Sequence, residues 1–64
     1  MKITELTRSQ LIEVKGHYLS DKLMEEEHRG ISYGELADVD SLVSDEEIFK
    51  VYAEYTFTPD DFFD

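Results

Sequence analysis

The sequence predicts an all-α fold: one long N-terminal helix packed against two or three short, capped helices, in a single small domain over residues 1–64. Three observations carry that prediction. Apolar residues between positions 11 and 23 recur at helical spacing. A helix-start signature (apolar, Ser or Thr, two residues, an acid or amide, apolar) occurs four times along the chain. Finally, 41% of the residues are apolar and periodic, which separates this chain from acidic sequences too poor in apolar residues to fold.

The first signature is Leu6-Thr7-Arg8-Ser9-Gln10-Leu11. Thr7 is the cap and Gln10 reaches back to the cap's own N–H, so a helix should run from about Arg8 to His28. Leu11, Val14 and Tyr18 share one side of it, adjoined by Ile12, Leu19 and Leu23. His28 and Arg29 suit the negative end of the dipole, and Gly30 suits a left-handed cap. Two features weaken this helix. Gly16 costs about 0.5–1 kcal/mol against Ala, which points to close approach of a neighbouring element. Glu25-Glu26-Glu27 stands at the wrong end of the dipole and predicts fraying or an exposed contact.

A second, short helix follows Ser32 in Ile31-Ser32-Tyr33-Gly34-Glu35-Leu36 and is expected over Tyr33 to Val39, because Asp38, Asp40 and Ser41 favour a turn. A third follows Ser44 in Val43-Ser44-Asp45-Glu46-Glu47-Ile48. Residues 49–57 also alternate as a strand does. The cap and acidic first turn decide for helix through about Ala53, with Glu54 to Phe57 extended. The last signature, Phe57-Thr58-Pro59-Asp60-Asp61-Phe62, predicts one closing turn that sets Phe62 against Phe57.

Charge is lopsided. Residues 1–30 carry five basic residues (Lys2, Arg8, Lys15, Lys22, Arg29) against six acids, a balance of −1; residues 31–64 carry ten acids against Lys50, a balance of −9. The near-regular spacing of the five cations reads as one solvated stripe. The net charge of −10 disfavours direct nucleic-acid binding and anionic membrane, and it attracts basic surfaces. Lack of Cys excludes disulfides and thiolate chemistry and suits the cytoplasm. The start shows no signal-peptide run, and no segment approaches the roughly 20 apolar residues of a membrane span.

Catalysis and cofactors find little support in these residues. His17 and His28 are eleven positions apart, about 16 Å along one helix, too far to act on one bond. His17 lies near Ser20 and Asp21 in sequence, but a triad also needs a cleft and oxyanion donors. Asp38-Val39-Asp40 begins like a calcium loop yet has Leu42, Val43 and Phe49 where the motif requires a ligand, Gly and Glu. No enzyme, no metal and no cofactor is therefore expected.

Two binding readings use what is present. In the first, Asp38, Asp40, Asp45, Glu46, Glu47, Glu54, Asp60 and Asp61 present carboxylates spaced like a nucleic-acid backbone to a basic protein. Its bland counterpart is a solvated face that serves solubility. In the second, the tail aromatics Tyr55, Phe57, Phe62 and Phe63 anchor a partner inside an acidic rim. Its bland counterpart is a tail that completes the core; adjacent Phe62 and Phe63 cannot both face inward. The caps need Glu35 and Glu47 but not Asp38, Asp40, Asp45 and Glu46. Those four acids, with Phe63, are the candidate partner-binding residues.

The run Ile31-Ser32-Tyr33-Gly34-Glu35-Leu36-Ala37-Asp38, Val43-Ser44-Asp45-Glu46-Glu47-Ile48-Phe49, Tyr52 and Asp60-Asp61-Phe62-Phe63 resembles small acidic proteins encoded on conjugative elements and prophages of Gram-positive bacteria. The resemblance covers the second half of the chain. It implies a setting in which small acidic proteins block host defence enzymes or tune transcription. It assigns no functional residues.

Overall fold

In the computed structural model, which describes residues 1–62, a 20-residue helix α1 (Arg8–Glu27) is the longest element of a 30 × 22 × 21 Å body. Three short helices follow: α2 (Tyr33–Ala37), α3 (Val39–Leu42) and α4 (Asp45–Val51). Single 3-10 turns flank them at Ile3–Glu5 and Pro59–Asp61, and no strand occurs among the described residues. α1 packs against α3 and α4, α2 against α3, and α4 against the N-terminal turn. The expected fold class is the one observed.

The helix starts form as their residues dictate. Thr7 Oγ1 accepts from the Gln10 N–H at 3.2 Å while the Thr7 N–H donates to Gln10 Oε1 at 2.9 Å. Ser32 and Glu35 repeat that exchange at 3.2 and 3.1 Å. Ser44 Oγ accepts from the Glu47 N–H at 3.1 Å, but Glu47 does not complete the box; its carboxylate faces the Tyr18 hydroxyl instead. In the closing turn the Thr58 N–H donates to Asp61 Oδ2 at 2.7 Å. A further reciprocal pair joins the N-terminus to the tail, with the Met1 ammonium donating to the Phe57 carbonyl at 2.6 Å and the Phe57 N–H to the Met1 carbonyl at 2.7 Å.

The core gathers Ile3, Leu6, Leu11, Val14, Val39, Val43, Ile48 and Phe57, with Tyr18, Leu19, Phe49, Tyr52 and Phe62 packed around it. Every element except α2 and the closing turn places a residue in it. Each fully buried aliphatic side chain contributes about 1.5–3 kcal/mol. Gly16 faces α2 as its position predicts, through one side chain: a Cβ there would stand 3.4 Å from Leu36 Cδ1, an ordinary van der Waals contact.

Three boundaries differ from expectation. Gly30 is not the left-handed residue; His28 takes that conformation at φ 55°, and α1 stops at Glu27. Histidine is among the non-glycine residues that tolerate this region. Of the two expectations for the triple glutamate, fraying or an exposed contact, the second is met: all three stay exposed within α1, and Glu27 pairs with Arg29 at 3.2 Å. Helix α2 ends at Ala37 rather than Val39. The expected turn at Asp38 is a new helical turn, because the Asp38 carbonyl accepts the Ser41 and Leu42 N–H groups at 2.9 Å each. Helix α4 stops at Val51, two residues short of Ala53, and the extended stretch after it is irregular and belongs to no sheet.

Candidate functional site

Arg8 and Lys15 lie two turns apart on α1, and α3 and α4 bring Asp40 and Asp45 to meet them. Among the described residues, Lys15 is the only charged side chain in the core, 1% exposed. Its Nζ donates to Asp40 Oδ1 and Asp45 Oδ1 at 2.6 Å each and to the Asp40 carbonyl at 3.2 Å, which uses all three ammonium protons. Arg8 grips Asp45 with two parallel bonds of 2.9 and 3.0 Å and touches Asp40 at 3.1 Å. This is a four-charge seam, two cations on one helix against two carboxylates from two others.

The electrostatics follow from that geometry. The Arg8 and Lys15 bonds hold the Asp45 carboxyl far below the ordinary carboxylate range. The Lys15 bond, opposed by burial, lowers Asp40. Burial works against the Lys15 charge, and its bonds to Asp40 and Asp45 outweigh burial and raise its pKa. A second ionic contact lies at the end of α1. Arg29 holds Glu35 through bonds of 2.7 and 3.0 Å, and these, with the Ser32 cap, lower Glu35 to about 2.

The expected solvated cation stripe is therefore corrected. Lys15 is buried because it falls inside the apolar arc of α1, four residues from Leu11 and from Leu19. Three of the five cations of the first half, Arg8, Lys15 and Arg29, are spent on Asp40, Asp45 and Glu35 of the second. Much of the lopsided charge in the sequence is thus complementarity between its two halves.

The four candidate acids divide accordingly. Asp40 and Asp45 belong to the seam, whereas Asp38 and Glu46 are exposed beside it. Phe63, the fifth candidate, lies outside the described residues. Of the tail aromatics, Phe57 is buried, Phe62 stacks on it at a centroid distance of 5.8 Å, and Tyr55 remains 48% exposed.

Sequence reasoning did not find two cavities on the faces of α1. One, about 290 Å³, is walled by Tyr52, Tyr55, Phe57 and Phe62, with Glu13 and His17 from α1 and Asp61 from the closing turn at its edge. The other, about 420 Å³, lies over Gly16 between Ile12, Ile31 and Leu36. In the first, His17 shares a cavity with two carboxylates, the juxtaposition that acid–base chemistry starts from. A hydrolytic centre further needs a nucleophile and oxyanion donors, and the walls here are rings. His28 is occupied as the helix terminus, away from His17. Among the described residues, no three His, Asp or Glu side chains gather in a geometry that could hold a metal ion. Among them, too, no helix is long and apolar enough to cross a membrane.

Comparison with protein-family models, with curated proteins and with solved structures finds no match to this chain.

Proposed function

We propose that this protein is a non-catalytic accessory or inhibitor protein, acting in the cytoplasm, that binds a basic protein through its carboxylate surface. The observation that supports this reading is the imbalance left after internal pairing. Ion pairs engage Asp40, Asp45, Glu27 and Glu35, while Asp38, Glu46, Glu54 and Asp60 stand exposed in a chain of net charge −10. Such a surface raises encounter rates with cationic partners and repels nucleic acid. A partner that normally handles nucleic acid is the finer form of the proposal, with carboxylates standing where phosphates stand. The resemblance to acidic proteins of mobile elements points the same way. Asp38 and Glu46, which flank the seam, are the contact residues, and Asp40 and Asp45 act by holding α3 and α4 in place.

Affinity capture with graded salt elution, run with duplex DNA as competitor, tests this. A basic protein should be retained at low salt, released as screening shortens the Debye length, and displaced by DNA. Asp38→Asn with Glu46→Gln should lower retention. Retention indifferent to salt and to both substitutions would sink the reading.

The half-exposed Tyr55 at an open aromatic cavity favours a second reading, a docking module with tail aromatics as anchors and acidity serving solubility. There, Tyr55→Ala or Phe63→Ala abolishes capture and the two charge-neutral changes do not.

A further inference from the structure

Helix α2 is fastened to the molecule differently from the other helices. α1, α3 and α4 each place a residue in the core, and α2 buries none. Tyr33 is 93% exposed and Leu36 half exposed, and the approach of Leu36 to Gly16 leaves room for a Cβ at 3.4 Å. The cavity of about 420 Å³ between Ile12, Ile31 and Leu36 leaves part of the space between α1 and α2 unfilled, which forfeits the dispersion attraction that seats a packed helix. The other neighbour of α2 is α3, which follows it directly in the chain. Five residues are too few for a helix to hold itself in water, and Gly34 among them weakens it further. Packing does not require that glycine: a Cβ at Gly34 would meet nothing within 4 Å, and its φ is not positive.

What holds α2 is local. The Ser32–Glu35 capping box lies inside the segment and moves with it. Arg29 ties the segment to α1, donating to Glu27 at 3.2 Å on one side and to Glu35 at 2.7 and 3.0 Å on the other. These bonds lie at the surface, where ion pairs contribute little. Both ends of the segment are built to turn, since element-terminal and loop residues absorb hinge rotations. Gly30 stands clear of the body, with open space where its Cβ would be. Asp38 closes α2, and its carbonyl starts α3 separately through the Ser41 and Leu42 N–H groups.

We propose that residues 30–37 form a flap that lifts off α1 as a unit while α1, α3, α4 and the core stay folded. Elements with few buried apolar contacts open at lower free energy than the whole molecule. Opening breaks the Arg29 tie, and the released helix melts because nothing else supports it. The flank of α1 at Ile12 and Gly16 then faces solvent, so that face exists in a covered and an uncovered state. The flap is a property of the chain alone and does not rest on the partner reading above.

Native-state hydrogen exchange of the intact chain in low urea, read amide by amide by NMR, tests this. The Leu36 and Asp38 N–H groups, bonded to the Ser32 and Gly34 carbonyls, report on α2; those of Val43 and Ile48, bonded to the Val39 and Ser44 carbonyls, report on the core. Relative to intrinsic rates, the α2 pair should exchange at least about tenfold faster than the core pair. Its rates should hardly respond to urea, whereas the core pair should speed up about fivefold per molar urea, because only global unfolding exposes much surface. Gly34→Ala should slow the α2 pair about fivefold. Arg29→Gln should speed it about threefold. Three outcomes overturn the flap: a urea dependence shared with the core pair, α2 rates unchanged in Gly34→Ala, or α2 rates unchanged in Arg29→Gln.

Discussion

The ionic seam and the aromatic tail fasten the same long helix to the second half of the chain by opposite means. The seam joins Arg8 and Lys15 to Asp40 and Asp45 at 2.6 to 3.2 Å, and its buried charge is matched bond for bond. The tail closes over α1 with four rings and leaves an opening about 290 Å³ in volume. The buried centre of the seam is finished, because each of the three Lys15 ammonium protons has its acceptor and a partner could only compete. Rings have no such valence to fill, and their exposed faces and edges stay available. Acidic residues drew attention in the sequence, yet half of the candidate acids turn out to hold the fold, while the opening lies among the rings.

Substitutions separate the two regions, beginning with the largest effect. Phe57→Ala removes a buried ring that three other aromatics touch, and should cost about 4 kcal/mol. A 64-residue domain has roughly 3–10 kcal/mol in all, so urea titration should find this variant near or past its midpoint in water. Lys15→Ala should cost about 3 kcal/mol by emptying a buried stem and leaving Asp40 and Asp45 with Arg8 alone, while Lys15→Met, which keeps the stem, should lose less. Equal denaturation midpoints for wild type and Lys15→Ala would show that the seam contributes nothing.

Acid should weaken the seam and spare the tail. The folded-state pKa values of Asp40, Asp45 and Glu35 are depressed, so their contribution is complete above the ordinary carboxylate range and is lost as pH falls through the folded values. For Glu35 that window runs from about 4.5 to about 2. Denaturation midpoints measured from pH 6 to pH 2 should fall steeply for wild type and less steeply for Lys15→Met. At the alkaline end the sign reverses. The raised pKa of Lys15 keeps its contribution complete below its ordinary value and removes it only above that. Ser44→Ala, at a cap whose glutamate is turned to Tyr18, should cost about 1 kcal/mol. The smallest effect is Tyr55→Ala, within about 0.5 kcal/mol by thermal melt, since that ring is half exposed.

What the sequence disclosed was local. Thr7, Ser32, Ser44 and Thr58 announce their turns because a cap and its partner lie within four residues, and Gly16 announces a close neighbour because its missing side chain has few other uses in a helix. The seam was not announced, since its partners are 25 to 37 residues apart and each reads alone as a surface charge. One signal did stand in plain view: Lys15 replaces an apolar residue in the arc between Leu11 and Leu19. Glu13, which lines the aromatic cavity, carried no signal, and His17 was weighed only against its sequence neighbours Ser20 and Asp21, because the tail that closes over both lies more than thirty residues away in sequence.

Lys15 also fixes how far along α1 the other helices can sit. An apolar stripe alone is nearly periodic, and a one-turn slide of about 5.4 Å would exchange one set of aliphatic contacts for another. Here a slide by four residues in either direction would bring Leu11 or Leu19 opposite Asp40 and Asp45 and leave both carboxylates facing hydrocarbon. The lysine thus works as an index mark, letting α3 and α4 dock at a single position on a helix that would otherwise accept several.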